Sequence, residues 1–207
     1  FMTITIWGRL TSINVQKAMF CIEEIGLRCE RIDAGLAYGI NKTPDYLAMN
    51  PNGLVPVLRY GDLILWESNV IVRYLASRHS AGLLWPSDPR DRARADMWMD
   101  WQQTSLWPAM HPVFHGLVWT PGSKTKEEIA TGIEKADALF AMLDSHIARH
   151  GELACGRFTM ADCVIGPAVH RWLSMPVERT RRPALEDWYA RLMERPTARR
   201  TMILPLA

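Results

Sequence analysis

The sequence predicts an α/β N-terminal domain followed by an all-helical C-terminal domain. Three observations lead to this prediction: strand-forming segments occur only before residue 67, a Pro-rich and Ser-rich stretch interrupts the periodicity near residue 86, and only helical patterns follow it. We therefore expect an N-terminal domain at 2–79, a linker at 80–90 and a helical domain at 91–207.

The N-terminal domain begins with a strand, because Thr3–Trp7 alternates Thr and Ile. The next helix ends at Gly26, since glycine readily adopts the left-handed conformation of a helix C-terminus. Gly61 and Asp62 join two strands, and so short a connection predicts an antiparallel hairpin. The predicted order is strand 3–7, helix 14–25, strand 29–33, loop 34–43, short helix 44–49, strands 56–60 and 63–66, and a helix that Ser68 caps.

The C-terminal half contains only helical periodicity, over 91–118, 126–150, 160–173 and 185–194. Five of the nine tryptophans fall in one central stretch of the chain. Clustered aromatic residues on helices usually pack in a core, and a ligand pocket is the alternative. The five are Trp85, Trp98, Trp101, Trp107 and Trp119.

Composition narrows the function classes. The 207 residues carry a net charge of +2, so net charge gives no indication of a nucleic-acid surface. No apolar run approaches the roughly 20 residues of a membrane-spanning helix, so we expect no membrane partner. The four cysteines lack metal-ligand spacing, and no signal-peptide pattern opens the chain, so we expect a cytoplasmic protein.

Two segments carry polar groups suited to an amino-acid ligand. Pro56 stands at the start of a strand, where a cis bond would turn the backbone of Val55 outward to pair with an extended peptide. Glu67 and Ser68 stand at a strand-to-helix junction. The free N–H groups of a helix start and the Ser68 hydroxyl favour a carboxylate, and Glu67 can accept from an ammonium. An ordinary helix cap is the alternative for this pair.

A third segment, between the first strand and the first helix, offers hydroxyl and amide groups. Ser12 and Asn14 lie at the start of that helix, so their side chains and the helix dipole can stabilise a ligand thiolate. The alternative is that both residues only cap the helix.

Together these segments resemble the glutathione site of cytosolic glutathione transferases. The resemblance extends along the chain through the motifs Asn50–Leu58, Glu67–Leu75, Gly156–Asp162 and Pro183–Tyr189. It implies a thioredoxin-like N-terminal domain, a homodimer, and glutathione as the co-substrate without a metal. Thr159 and Asp162 in the third motif have capping-box spacing and are expected to be structural.

The resemblance also implies roles for individual residues. By motif position, Val55 and Pro56 would face the cysteinyl backbone of glutathione, and Glu67 and Ser68 would hold its γ-glutamyl end. Lys42 stands where many family members place a residue for the glycyl carboxylate.

The residues available to activate the thiol resemble those of the serine-type classes or of the bacterial Thr-x-Asn group of this family. Trp7 and Gly8 occupy the region where the tyrosine classes place their tyrosine, and residues 11–14 contain no cysteine. If Asn14 is aligned with the Asn of the Thr-x-Asn pair, Ser12 takes the position of the hydroxyl residue. Thr11 is the alternative candidate for this hydroxyl.

The family places its second substrate against the first long helix of the helical domain. The candidate residues there for binding a hydrophobic electrophile are Trp107, Met110, His111, Phe114, His115 and Trp119, of which the first five share a helical face. Plain packing is the alternative for this stripe. The two histidines lack a third ligand, so we expect no metal.

The sequence thus predicts a transferase that conjugates glutathione to small hydrophobic electrophiles, a detoxification reaction. Glutathione-dependent disulfide or peroxide reduction is the enzymatic alternative. A non-catalytic ligand-binding module is the third interpretation.

Overall fold

The computed structural model describes residues 4–206. Its N-terminal half contains a four-stranded mixed sheet in the order β2-β1-β3-β4. The strands are β1 Ile4–Trp7, β2 Cys29–Ile32, β3 Val57–Tyr60 and β4 Leu63–Trp66. β1 pairs parallel with β2 and antiparallel with β3, and β3 pairs antiparallel with β4. The predicted hairpin and the thioredoxin-like fold are therefore confirmed.

Three helices complete this half: α1 Ile13–Ile25, α2 Pro44–Met49 and α3 Ser68–His79. α1 and α3 pack together over the main core, which includes Ile4 and Ile6 of the central strand. The opposite face carries a small separate cluster of Trp7, Ala34, Tyr46 and Val57. The sheet is therefore covered on both faces, and its loops are fixed by buried side chains.

The element boundaries differ slightly from the sequence predictions. Thr3, the predicted start of β1, lies outside the described residues. Gly26 ends α1 in the left-handed region, with φ of 75°, as predicted. Ser68 does not cap α3, because Glu67 occupies the cap position and the Ser68 hydroxyl bonds Asn14 instead.

The C-terminal half is all helical within residues 89–206. Its helices are α4 Pro89–Trp101, α5 Trp107–Phe114, α6 Lys126–His150, α7 Met160–Ser174, α8 Pro183–Glu194 and α9 Pro196–Thr201. The short α9 was missed, because six residues carry too little periodicity for detection. No helix among the described residues is long and apolar enough to cross a membrane.

One long helical run contains two π-helical segments. The predicted helix at 91–118 is in fact the series α4, Gln102–Leu106, α5 and His115–Trp119, in which both named segments are π-helical. Prolines at 108 and 112 remove two backbone donors from this run without breaking it. π-Helical turns change which side chains share a face, and they often occur at functional sites.

Helix α7 is the buried centre of the helical half and packs against α1 and α4. The predicted capping box at its start is present: the Thr159 amide donates to Asp162 Oδ2 at 2.8 Å, and the Ala161 amide donates to Thr159 Oγ1 at 3.3 Å. The two halves are also joined by Arg195, whose Nε donates to Glu24 Oε1 at 2.8 Å. α7 therefore lies where both halves of the chain meet.

Candidate functional site

A cavity of about 380 Å³ lies between the two halves of the chain. A volume of this size is within the range of small-molecule sites. Its lining comes from the loop between β1 and α1, the segment before β3, helix α5 with the π turn after it, and α7. The lining residues are Arg9, Ser12, Ile13, Asn14, Gly35, Leu36, Asn41, Leu54, Val55, Trp107, His111, Phe114, His115, Trp119 and Arg171.

One side of this cavity, here called the polar wall, is formed by Ser12, Asn14 and Val55. Ser12 is the N-cap residue of α1, yet its hydroxyl makes no capping hydrogen bond and its residue exposure is 8%. Ile13 and Asn14, the first residues of α1, line the same end of the cavity, where a helix dipole favours negative charge. Ser12 is therefore a donor that the fold leaves free, beside a helix N-terminus.

Val55 presents its backbone to the cavity. The Val55–Pro56 peptide is cis. The preceding carbonyl, of Leu54, is fixed by two donors, Tyr46 Oη at 2.7 Å and Asn50 Nδ2 at 2.9 Å. Within residues 4–206, neither the amide nor the carbonyl of Val55 has a hydrogen-bond partner. A rigid segment thus presents an unpaired strand edge to a ligand.

Glu67 and Ser68 lie next to the lined region and are connected to it by a hydrogen bond. The Ser68 hydroxyl donates to Asn14 Oδ1 at 3.2 Å, which joins the start of α3 to the start of α1. Glu67 is exposed and has φ of 70°, a conformation that costs a non-glycine residue about 1 kcal/mol or more. Such outliers persist where the surrounding structure fixes them, and they concentrate at ligand sites.

Lys42 is exposed and does not line the cavity. It lies over Gly53, because a Cβ added to that glycine would be 2.7 Å from Lys42 Nζ. Asn41, which the sequence analysis did not identify, lines the cavity and donates from Nδ2 to the Gly53 carbonyl at 2.8 Å. Thr11 is outside the lining as well, and its carbonyl accepts from Arg171 Nη2 at 2.8 Å.

The opposite side, here called the aromatic wall, comprises Trp107, His111, Phe114, His115 and Trp119. All five were proposed for this lining from the sequence; the sixth candidate, Met110, is wrong, because it is fully buried in the main core. Ring centroids are 4.4 Å apart between His111 and His115, and 5.8 Å apart between Phe114 and Trp119. Burial, with the charges of His115 and Lys124, lowers the pKa of His111. Its imidazole is therefore neutral at pH 7.

The clustered tryptophans divide between core and cavity. Trp98 is buried in the main core, as expected for this stretch. Trp107 and Trp119 line the cavity, as the sequence analysis proposed for this helix, and Trp107 also packs against the main core.

Two arginines in the lining were missed by the sequence analysis. Arg9 is 7% exposed and Arg171 is 1% exposed. Burial lowers the pKa of both, and the pKa of Arg171 falls to about 9, to which the charge of Arg9 also contributes. The sequence offered no signal for Arg171, because the burial of α7 around it is known only from the structure.

A third buried cation, Lys17, lies behind the polar wall. Its Nζ donates to Gln103 Oε1 at 3.2 Å and Asn69 Oδ1 at 3.5 Å. Burial lowers its pKa to about 7; the carboxylate of Glu67 opposes this shift and the charge of Arg171 adds to it. Lys17 therefore joins α1, α3 and the first π turn without a direct ion pair.

Within the described residues, no group of three or more His, Cys, Asp or Glu side chains could hold a metal ion. The cavity thus lies between a thioredoxin-like domain that supplies polar backbone and hydroxyl groups and a helical domain that supplies an aromatic wall.

Comparison with known proteins agrees with this arrangement. Residues 2–77 match the description "Glutathione S-transferase, N-terminal domain", and residues 126–191 match "Glutathione S-transferase, C-terminal domain". Glutathione S-transferase GstB of Escherichia coli strain K12 is 42% identical over 99% of this chain and 100% of its own. Glutathione S-transferase 3 of Zea mays is 30% identical over 96% of this chain and 93% of its own.

A solved structure covers the whole chain. The theta class glutathione S-transferase of Xanthomonas axonopodis pv. citri, crystallised with glutathione bound, matches with a TM-score of 0.95 and 42% identity over 100% of both chains. The chain therefore belongs to the glutathione S-transferase family, and the prediction of a glutathione transferase from its motifs is confirmed.

Proposed function

We propose that the protein activates the thiol of glutathione at the polar wall and adds its sulfur to a small electrophile held by the aromatic wall. The observation that supports this most strongly is the free Ser12 hydroxyl, which faces the same cavity as the unpaired backbone of Val55. Hydrogen-bonding groups that a fold leaves open inside a cavity are normally satisfied by a ligand.

Glutathione would lie along the segment of Val55 and Pro56, with its cysteinyl backbone paired to the Val55 amide and carbonyl. Its γ-glutamyl ammonium would bond the exposed carboxylate of Glu67. The γ-glutamyl carboxylate would accept from the first amides of α3 and from the Ser68 hydroxyl, whose hydrogen bond to Asn14 Oδ1 it would replace. Support comes from the Xanthomonas relative, which was crystallised with glutathione bound.

The glycyl carboxylate would reach the loop that contains Asn41 and Lys42. The exposed ammonium of Lys42 can approach it from outside the cavity, and Asn41 lies on the lining itself.

The chemistry requires a stabilised thiolate. Ser12 would donate its hydroxyl hydrogen to the sulfur, with Asn14 beside it and Thr11 as the reserve donor. A fall of two units in the thiol pKa corresponds to about 2.7 kcal/mol of thiolate stabilisation. Charge-assisted hydrogen bonds and a helix N-terminus can supply this amount. The thiol proton passes to solvent, and the sulfur forms the new bond to carbon.

We further propose a role for each domain and an oligomeric state. Residues 2–79 would hold glutathione, residues 80–90 would link, and residues 91–207 would provide the electrophile side. We propose a homodimer in the cytoplasm, without metal, nucleic-acid or membrane partners. Light scattering of the purified protein should give a mass about twice that of one chain.

The first test is calorimetric titration of the purified protein with reduced and oxidised glutathione. Saturable binding of reduced glutathione, followed by a thioether product with an electrophile, is the expected result. Preferential binding of the oxidised form, with oxidised glutathione as the reaction product, would replace the proposal with the reductase function. Absence of binding at millimolar glutathione would favour a non-catalytic module.

A further inference from the structure

Among the residues that the structure describes, Arg9 and Arg171 are buried cations without a counterion. Both line the cavity, both are more than nine-tenths buried, and neither contacts a carboxylate within residues 4–206. Burying an unpaired charge is costly, so buried guanidinium groups normally have an anionic partner. The missing partner is the feature that requires an explanation.

More exposed arginines of this chain do have partners. Arg182 Nη2 lies 2.6 Å from Asp137 Oδ2, and Arg73 Nε lies 2.6 Å from Asp96 Oδ1. These two partly exposed arginines are thus paired although water can solvate them. Arg9 and Arg171 are less exposed and have no carboxylate partner within residues 4–206.

Each of the two guanidinium groups retains free donors. Arg171 donates from Nη2 to the Thr11 carbonyl, its Cζ lies 4.2 Å from the Phe114 ring centroid, and its Nε has no hydrogen-bond partner. Arg9 has its Cζ 5.0 Å from the Trp119 ring centroid, and its buried Nε is likewise without a partner. Both cations therefore lie against aromatic rings that will contact the second substrate.

The rest of the lining leaves this positive charge uncompensated. No aspartate or glutamate is among the residues that line the cavity, and the pKa of His111 is lowered rather than raised. A planar guanidinium presents five N–H donors, an arrangement that suits a carboxylate.

We propose that Arg9 and Arg171 form an anion subsite in this cavity and that it takes the carboxylate of an acidic aromatic electrophile. The proposal rests on the function proposed above, and it replaces the expected purely hydrophobic second substrate with an acidic one. The aromatic wall contacts the ring of the substrate, and the two guanidinium groups bind its carboxylate.

A matched pair of electrophiles tests this proposal: 4-chloro-3-nitrobenzoate and 4-chloro-3-nitrobenzamide. In both, the glutathione thiolate attacks the ring carbon that bears chlorine, the C–S bond forms, the C–Cl bond breaks, and chloride leaves with the electron pair. The thiol proton passes to solvent. The two molecules differ only in the group that would meet the arginines.

The measurement is kcat/KM for each electrophile, divided by its uncatalysed rate constant with glutathione. We expect the native protein to prefer the benzoate about tenfold or more, the scale of charge-assisted hydrogen bonds. Arg9→Met should reduce this preference to about one, and Arg9→Lys should restore part of it. Arg171→Lys should keep a measurable preference, and Arg171→Met should lose it. Arg199→Met, which removes an exposed arginine, is the matched control and should change neither rate.

Two outcomes would overturn the proposal. One is an equal loss for both electrophiles in the Arg9 and Arg171 variants, with a raised pKa of the bound thiol, because the arginines would then serve the glutathione thiolate. The other is a native protein that does not prefer the benzoate.

A binding experiment separates failure of this proposal from failure of the proposed function. 3-Nitrobenzoate and 3-nitrobenzamide are titrated into the protein, and quenching of tryptophan fluorescence from the aromatic wall reports binding. Tighter binding of the benzoate, abolished in Arg9→Met, would support the subsite even if glutathione did not bind. Equal binding of the two probes would reject the subsite even if glutathione bound well.

Discussion

The polar wall and the aromatic wall of the cavity are built in different ways. The polar wall consists of backbone groups and one hydroxyl, held by loops and the start of α1, as with the unpaired amide of Val55. The aromatic wall consists of side chains from α5 and its π turn, backed by the cation of Arg171. The groups that the polar wall presents depend mainly on the path of the backbone, whereas those of the aromatic wall depend on side-chain identity. Substitutions in one wall can therefore change the ligand that it binds without changing the other wall.

Lys17, which joins α1 and α3 to the first π turn, gives the largest predicted effect. Burial lowers its pKa to about 7, whereas lysine in an unfolded chain titrates near pH 10.4, about the model-peptide value. Between these values the unfolded chain binds the extra proton, so the free energy of unfolding rises with pH, by up to about 1.4 kcal/mol per pH unit. Below pH 7 both states are protonated, and this contribution no longer changes.

The test compares urea unfolding of the native protein and Lys17→Met from pH 7 to pH 10. The native free energy of unfolding should gain up to a few kcal/mol relative to the variant across this window. Lys135→Met, at an exposed position, is the control and should follow the native curve. Parallel curves for the native protein and Lys17→Met would mean that Lys17 is not the group that titrates.

Glu67→Ala addresses glutathione binding beside the polar wall and leaves the aromatic wall intact. Loss of a charge-assisted hydrogen bond to the γ-glutamyl ammonium should raise the Kd for glutathione about tenfold or more. Calorimetry measures the Kd. Glu67→Gln keeps an acceptor but not the charge, so its Kd for glutathione should lie between those of the native protein and Glu67→Ala. At saturating glutathione the KM for the electrophile should stay the same. An unchanged Kd would remove Glu67 from the site.

Ser12→Ala is expected to change the pKa of bound glutathione more than the Kd for glutathione. Without the hydroxyl donor, the pKa of bound glutathione should rise by about one unit, the scale of one hydrogen bond to a charged group. Titration of thiolate absorbance measures this value in the native protein, Ser12→Ala and Thr11→Ala. A shift in the Thr11 variant alone would assign the donor role to Thr11.

The sequence predicted the fold closely because its signals were local. The strand and helix order of residues 4–79 follows from alternation, helical spacing and glycine stops, and Gly26 ends α1 as expected. The motif around Val55 allowed part of the polar wall to be predicted, because such a motif fixes the path of the backbone. Asn41 was missed, since its place on the lining depends on how the loop before α2 closes over Gly53.

The cationic part of the site was not predictable in the same way. Arg9 and Arg171 are 162 positions apart, and only the packing of α7 against α1 brings them to one cavity. The π turns also lie beyond simple periodicity, because they add about a residue per turn; Trp119 was therefore proposed for the lining without a place on the helical face. Long-range packing, rather than local pattern, determines the charge of the cavity.

Trp107→Ala tests the aromatic wall and carries the smallest predicted effect. Trp107 is half-buried and lines the cavity, so loss of its ring should raise the KM for an aromatic electrophile about threefold, the scale of one aromatic contact. The Kd for glutathione should not change, because the polar wall is intact. Trp101→Ala, a half-buried tryptophan outside the lining, is the matched control. A variant that instead weakened glutathione binding would show that the two walls act as one site.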